Sequence, residues 1–469
     1  MTSLIQADPQ NSHSRSLKII ILVTTSISVF FTAFTTSALN VALPTVNKEF
    51  GASAILLSWV VTIYLLAVGV LQLPFGRLAD ILGIKRIYTI GAILFALGSI
   101  TAIFANTILV LIISQVIRGI GGAMIFGNAT ALLTVFFPKE VRGRVFGINM
   151  AFVYSGFTMG PFLGGVLTEH VGWRSIFIFT ALAFVIVTIL MLWKVKDEWR
   201  QCKGEKFDVI GAVIFCSGMV VFMYGFSNLP GTSGIICTLI GAVGLVLFIM
   251  FETNSQKPLL NISVFRRNRL FILSNLATWL NYCSVASVVF LLSLYLQYIK
   301  GFSADQAGLI LLLQPATQII LSLVAGKLSD KISPVILSTI GMALIFVPLC
   351  SFIFINAQTS IVLLIITLLV FGTGYGLFAS PNSNVVMSSV SKEYFGVAAA
   401  TQATMRTMGQ TTAMAITMIV INAIIGQAVI TPDNYPGFLN CVQIAFIIFS
   451  FICLSGIVVC FYQRTAKKS

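Results

Sequence analysis

Arg118 and Arg406 are the two cations of this chain that stand inside long apolar runs, and no carboxylate shares those runs. A guanidinium at the centre of a bilayer costs roughly 2.5–3.5 kcal/mol on insertion scales, so it persists where a partner or a watery cavity receives it. Gln115 lies three positions before Arg118, on the same helical face. Gln402 and Gln410 flank Arg406 at spacings of four, one polar stripe in an apolar run. Asn275 and Trp279 share a face of another run, and Gln314 and Gln318 bracket Pro315 in the next. Amides and guanidinia at these spacings can hold an anion or a neutral hydrogen-bonding molecule, as the lining of a polar path. For the isolated amides, hydrogen bonding between helices is an equally good explanation, and packing accounts for Trp279.

Two glycine patterns shape the backbone. Gly156, Gly160 and Gly164 recur every four residues, with Pro161 and Gly165 between and after them. On a helix this stripe admits close approach of a neighbour, and the proline removes a backbone donor and favours a bend. A bent, glycine-lined helix can serve as a gate, although many membrane helices use such a stripe for packing alone. The second pattern is a loop: Gly76, Asp80, Gly83, Lys85 and Arg86 follow one apolar run, and Gly326, Lys327 and Asp330 follow another. Gly51 and Ser53 precede the first of these runs as Gly301 and Ser303 precede the second, at one constant offset of 250 residues. Such a repeat implies two pseudo-symmetric bundles with a substrate path between them.

The elements that must position these residues follow from composition. The chain has 469 residues, 58% of them hydrophobic and 9% charged, against about 25% charged in an ordinary soluble domain. So few charges cannot face water around so much apolar surface, which excludes a soluble enzyme, a disordered chain and a nucleic-acid binder. Apolar runs near the roughly 20 residues that cross a bilayer fall at 17–39, 55–75, 87–105, 107–129, 145–167, 175–193, 209–227, 233–251, 270–294, 307–325, 335–355, 359–379, 397–424 and 439–461. They read as fourteen helices, because each run must satisfy its own backbone and strands of a barrel would be half as long and alternating. The expected fold is an all-α membrane protein with fourteen transmembrane helices. It comprises two pseudo-symmetric six-helix bundles, residues 1–200 and 256–469, with two inserted helices in 201–255.

Charge tests that count. Of the 28 Lys and Arg residues, 23 fall at the termini or in alternate loops, among them Arg77, Lys139, Lys203, Lys206, Lys257, Arg266, Arg267, Lys331, Lys467 and Lys468. The opposite side holds Lys48, Arg174 and Lys300. Under the positive-inside rule both termini are cytoplasmic, and one missed span would destroy the segregation. The net charge of +14 is therefore a topology signal rather than a nucleic-acid patch. The first run is too long for a cleavable signal and reads as an uncleaved span. Eight cysteines form no C-x-x-C pair, and His13 and His170 are the only histidines. No metal or cofactor is expected.

The loop 76–86, Gln115 through Ala123 with Arg118, the Gly156–Gly165 pattern, and the segments beginning Asn40, Gly172, Tyr295 and Ser380 together resemble the major facilitator superfamily, in particular its fourteen-helix drug/proton antiporters. The resemblance covers nearly the whole chain and implies a secondary active transporter of the cell membrane, plasma or inner, exporting amphiphilic small molecules by alternating access. It implies proton antiport, a monomer, an outward gate in the fifth span, and a cytoplasmic latch in the loop after the second. Relatives of the multidrug type place an aspartate where this chain has Thr35, and all fourteen acids here fall in loops, termini or span edges. The polar path is then electropositive and prefers anionic or neutral cargo over lipophilic cations, and a facilitator or exporter of anionic or neutral metabolites becomes the main alternative. A membrane transferase built on Glu169 and His170, and a sensor that has lost transport, are further rivals.

Overall fold

The computed structural model describes residues 15–51, 54–196, 198–200, 202, 204–229, 231–254, 259, 268–302, 304–424 and 435–466. Ser53 and Ser303 of the repeat, and Lys203, Lys257, Arg266, Arg267, Lys467 and Lys468 of the charge pattern, lie outside the described residues, as does His13. Every apolar run is helical, and the described residues contain no strand. The first half holds α1 (Arg15–Phe50), α2 (Ala54–Leu82), α3 (Ile84–Ile103), α4 (Ile108–Phe136), α5 (Lys139–His170) and α6 (Arg174–Lys194). Then come α7 (Val209–Ser227) and α8 (Thr232–Asn254). The second half holds α9 (Arg269–Val285), α10 (Val288–Leu294), α11 (Ala304–Leu311), α12 (Leu313–Ser329), α13 (Pro334–Ile353), α14 (Ile361–Ser388), α15 (Phe395–Ile424) and α16 (Tyr435–Ala466). Among the described residues thirteen helical stretches are long and apolar enough to cross a membrane, and Val209–Gly225 is a shorter apolar fourteenth.

Two spans expected as single helices are broken. The ninth is split at residues 286–287 into α9 and α10, and then widens into a π-turn at Tyr295–Ile299. The tenth is split at Leu312 into α11 and α12. Pro315 explains the second break. It has no N–H for the carbonyl of Leu311, and its ring crowds that carbonyl, so the helix is interrupted just after Leu311, at Leu312. In the opposite sense, α1 is longer than its apolar run, extending past Asn40 to Phe50. Its 36 residues span about 54 Å, well beyond a hydrocarbon core of roughly 30 Å.

The chain divides into two compact units. One comprises residues 1–208, 326–330 and 390–404, and the other residues 209–325, 331–389 and 405–469. In the first, Phe34, Ala38, Leu39, Val60, Leu111, Trp173, Ile176 and Phe177 form a buried core. In the second the core gathers Leu291, Leu292, Tyr295, Met342, Ile345, Phe371, Phe378, Phe446 and Phe449.

One polar cluster ties down the extended end of α1 within the first unit. Glu49 accepts hydrogen bonds from Trp173 Nε1 at 2.7 Å and from Arg174 Nη1 and Nη2 at 2.9 and 2.7 Å. Arg174 also donates to the carbonyls of Ile103 at 3.1 Å and Ala105 at 2.8 Å, groups left over at the end of α3. The Arg174 and Trp173 donors hold the Glu49 carboxyl below its usual range. Its contribution is therefore present at neutral pH and is lost as pH falls from the ordinary carboxylate value, near 4, through the lower folded value. Glu49→Gln should lower the stability of the detergent-solubilised protein by about 1 kcal/mol at pH 7, the scale of a partly exposed ion pair. In thermal unfolding the gap between wild type and variant should close below about pH 4.

Candidate transport site

Arg118 lies in the middle of α4, and glycines decide what surrounds it. A Cβ on Gly98 of α3 would lie 2.6 Å from Arg118 Cγ, and one on Gly121 would lie 2.6 Å from the Gly91 carbonyl. A Cβ on Gly119 would lie 2.6 Å from Ala67 Cβ. These absences let α2 and α3 close on α4 from two sides. The guanidinium then sits among three rings, its carbon 4.7 Å from the centroid of Phe95, 5.2 Å from Phe177 and 5.5 Å from Tyr64. Gln115 Oε1 accepts from Arg118 Nη1 at 2.7 Å, while Nε and Nη2 have no acceptor among the described residues. Arg118 is 1% exposed. The expectation of a polar path at this residue thus meets a charge packed inside the first unit by aromatic faces, a cation–π environment that strengthens on desolvation.

One turn beyond Phe177 on α6, Thr180 Oγ1 lies 2.8 Å from Thr35 Oγ1, both buried. The position at which the family resemblance leads one to expect an aspartate is here half of a neutral hydroxyl pair.

The glycine stripe of α5 packs on α1. A Cβ on Gly160 would lie 2.6 Å from Ser37 Cβ and one on Gly164 2.5 Å from Ala38 Cβ, and one on Gly156 would collide with the Phe30 carbonyl. Gly165 is outside this seam, with Val41 3.8 Å from its would-be Cβ, and Pro161 is exposed. Pro161 cannot donate to the carbonyl of Phe157, and Ser37 Oγ does so instead at 3.0 Å. Helix α1 thus repairs the hydrogen bond that the proline removes from α5.

In the second unit, Gln314 Nε2 donates to Gln318 Oε1 at 2.8 Å, both buried on α12. Glycines of α14 approach that helix, a Cβ on Gly376 falling 2.9 Å from the Gln318 carbonyl. Asn275 is buried and donates to the Phe271 carbonyl at 3.0 Å, and its Oδ1 and Trp279 Nε1 have no partner among the described residues. Gly409 of α15 packs on the Trp279 carbonyl and Tyr282. Gln402, Arg406 and Gln410 are half-buried along α15. Asn382, read in the sequence only as part of the segment beginning Ser380, donates to Thr278 Oγ1 at 2.8 Å and to the Ser274 carbonyl at 3.1 Å.

The two repeat loops carry the most regular geometry. Asp80 accepts from the backbone N–H groups of Gly396 at 2.9 Å and Val397 at 3.0 Å, in the first turn of α15. Asp330 accepts from those of Gly143 at 2.8 Å and Arg144 at 3.2 Å, near the start of α5. Carboxylates at helix N-termini are stabilised by free donors and the helix dipole. Gly76 and Gly326 provide the closeness, since a Cβ on Gly326 would lie 2.7 Å from the Gly143 carbonyl and one on Gly76 would strike Ala400. Gly83 adopts a left-handed φ of +119° between α2 and α3. Lys85 is half-exposed and Arg86 exposed.

Two measurements probe these contacts. Ser37→Ala should cost about 1 kcal/mol of thermal stability by stranding the Phe157 carbonyl, and almost nothing in a Pro161→Ala background, where residue 161 again donates. A double-mutant cycle checks it. At Asp330, burial pushes the carboxyl up to about 6, against the Gly143 and Arg144 N–H groups and the Arg144 charge. A raised acid pKa stabilises the packed form at low pH, and that contribution is lost as pH rises through about 6. Wild type should gain about 1 kcal/mol over Asp330→Asn on acidification from pH 7.5 to 5, a size that allows for solvent screening of a half-exposed group.

Comparisons with known proteins agree with this architecture. The sequence model of the Major Facilitator Superfamily matches residues 25–414 and 274–469. The chain is 29% identical over 394 residues to the riboflavin transporter RibZ of Clostridioides difficile, covering 83% of this chain and 85% of that one. It is 29% identical over 405 residues to the multidrug resistance protein Stp of Mycobacterium tuberculosis, covering 85% and 75%, and 24% identical over 414 residues to the multidrug efflux pump LfrA of Mycolicibacterium smegmatis, covering 87% and 82%. Among solved structures, the human organic anion transporter MFSD10 superposes with a TM-score of 0.69 at 16% identity, covering 94% of this chain and 99% of that one. The proton:xylose symporter XylE gives 0.69 at 14% identity, covering 95% of each. Glycine seams, capped repeat loops and matched helices lead to one assignment: this multi-pass membrane protein belongs to the major facilitator superfamily, in an arrangement consistent with its fourteen-helix, drug-efflux-type branch.

Proposed function

We propose that this transporter exports amphiphilic small molecules by alternating access and selects neutral or anionic cargo over lipophilic cations. The observation that carries the reading is the position of its acids. Every acid on a described helix lies within three residues of that helix's end, while Arg118 is held mid-helix by rings and an amide, with no carboxylate among its contacts. A membrane-embedded carboxylate is what attracts a cation and carries a proton in such settings, and Thr35 with Thr180 replaces it here. The amides of Asn275, Gln314, Gln318 and Gln410, with Arg406 and Trp279, all in the second unit, suit a flat hydrogen-bonding molecule. RibZ, named for riboflavin, supports an uncharged cargo, and Stp and LfrA, named for multidrug resistance and efflux, support export.

In this reading the α1–α5 seam with Gly156, Gly160, Pro161, Gly164 and Gly165 is the gate, and the loops bearing Asp80 and Asp330 are latches. Spans one to six and nine to fourteen are the two halves of the repeat, with α7 and α8 inserted. Both termini face the cytoplasm, following the 23 basic residues on that side. Proton antiport supplies the driving force. A second reading, a facilitator of anionic or neutral metabolites, draws on the same Thr35–Thr180 pair, which leaves the usual coupling position without a titrating group.

Reconstituted in liposomes, the protein should move carboxyfluorescein, an anion, several-fold faster under an imposed pH gradient, and should move ethidium no faster than empty liposomes do. Arg406→Gln should abolish the anion flux at normal incorporation. Ethidium transport with carboxyfluorescein ignored would overturn the selectivity, and a flux indifferent to the gradient would favour the facilitator.

A further inference from the structure

Residues 198–205 join α6 to α7, and in the sequence this segment reads as a stretch of cytoplasmic charge. Within the first unit it does much more. Helix α3 begins at Gly83 with no side-chain cap of its own. Two of its leading backbone donors are met from this segment instead: Ile84 N donates to the Trp199 carbonyl at 3.1 Å, and Arg86 N to Glu198 Oε1 at 3.2 Å. Glu198 therefore acts as a helix cap supplied from more than a hundred residues away, with its charge at the favourable end of the helix. On the α2 side, the Asp80 carbonyl accepts from Cys202 N at 3.0 Å. Arg77, buried one turn before Asp80, donates to Glu205 Oε2 at 2.5 Å and to Cys202 Sγ at 3.3 Å. The Trp199 ring meets Phe136 edge-on at 4.3 Å, anchoring the segment to the end of α4. Cys202 Sγ reaches the Glu393 carbonyl at 3.5 Å, in the turn that leads into α15.

We propose that Glu198, Trp199, Cys202 and Glu205 form a strap that holds the first repeat loop in its latched position, with Arg77 and Glu205 acting as positioning residues for Asp80. The backbone of Asp80 is tied to the strap while its carboxylate caps α15. Withdrawal of Asp80 from α15 then pulls on the same hydrogen bonds that hold Cys202. Because Cys202 contacts both Arg77 and Glu393 in the turn before α15, its thiol becomes accessible only when strap and latch part. In the strapped form it is 8% exposed, and burial pushes the thiol above its usual range, which slows alkylation further. The strap rests on reading the loop 76–86 as a latch, and it adds to that reading a control exerted by the connection to the inserted helices.

The test is N-ethylmaleimide labelling of the full-length protein in native membranes, read peptide by peptide in mass spectra, with the fully buried Cys453 and Cys460 as internal references. Glu205→Ala and Arg77→Gln should each raise the Cys202 labelling rate about tenfold, with both references unchanged and Glu205→Asp close to wild type. Asp80→Asn should raise it as well, because releasing the carboxylate frees the strapped backbone. A rise in Asp80→Asn alone would remove the Arg77–Glu205 pair as a positioning element. A rise in the Glu205 and Arg77 variants alone would separate strap from latch, and unchanged or globally increased labelling would also overturn the proposal. Loss of carboxyfluorescein flux in Asp80→Asn with Cys202 labelling unchanged would leave the latch standing and remove only the strap.

Discussion

A bilayer core offers no hydrogen bonds to a peptide group, and each group left unpaired there costs several kcal/mol. That constraint makes every apolar run of this chain a helix, and it also governs the places where a helix is imperfect. Pro161 strands the Phe157 carbonyl, and a hydroxyl of α1 comes to meet it. Pro315 strands the Leu311 carbonyl, and there the helix breaks. The difference lies in the neighbour. Gly156, Gly160 and Gly164 bring α1 close enough for Ser37 to serve α5, so the bend is kept inside a continuous helix. A glycine stripe and a proline are thus parts of one device, in which closeness permits repair.

Charge obeys the same accounting of polar groups. The Asp80 carboxylate is placed in the first turn of α15, where donors are in excess, and that of Asp330 against the second turn of α5. Arg118 is placed where ring faces and one amide oxygen receive it. Neither arrangement neutralises the guanidinium with a fixed negative charge. The Arg118 charge is thus met inside the first unit by ring faces and an amide rather than by a carboxylate.

The span positions and the two glycine patterns were legible in the sequence because each is a local signal. Hydropathy reports length, and glycine spacing reports a seam. The fourteenfold count survives in the structure with Val209–Gly225 as its shortest member. What escaped is what depends on partners distant in sequence. The extension of α1 to Phe50 is fixed by Glu49 meeting Trp173 and Arg174, more than 120 residues away. The enclosure of Arg118 depends on rings from three other helices, so a polar residue inside an apolar run suggested a polar path and not a cage. The break at Leu312 was available in principle, because Pro315 stands four residues after Leu311, but an unbroken hydropathy run hid it.

The two loops of the Gly-x-Leu-x-Asp pattern make similar contacts in different settings. Asp80 and Asp330 make the same kind of contact, each with two backbone N–H groups of a helix 250 or so residues out of step with the other's. Their settings differ. Asp80 is fully buried and its backbone carbonyl is taken by Cys202, whereas Asp330 is half-exposed and its ring of contacts comes from α5. The segment that distinguishes the first loop is the one leading into α7. Two copies of one Gly-x-Leu-x-Asp motif therefore differ in what holds them: a connecting segment closes over the first, while solvent reaches the second.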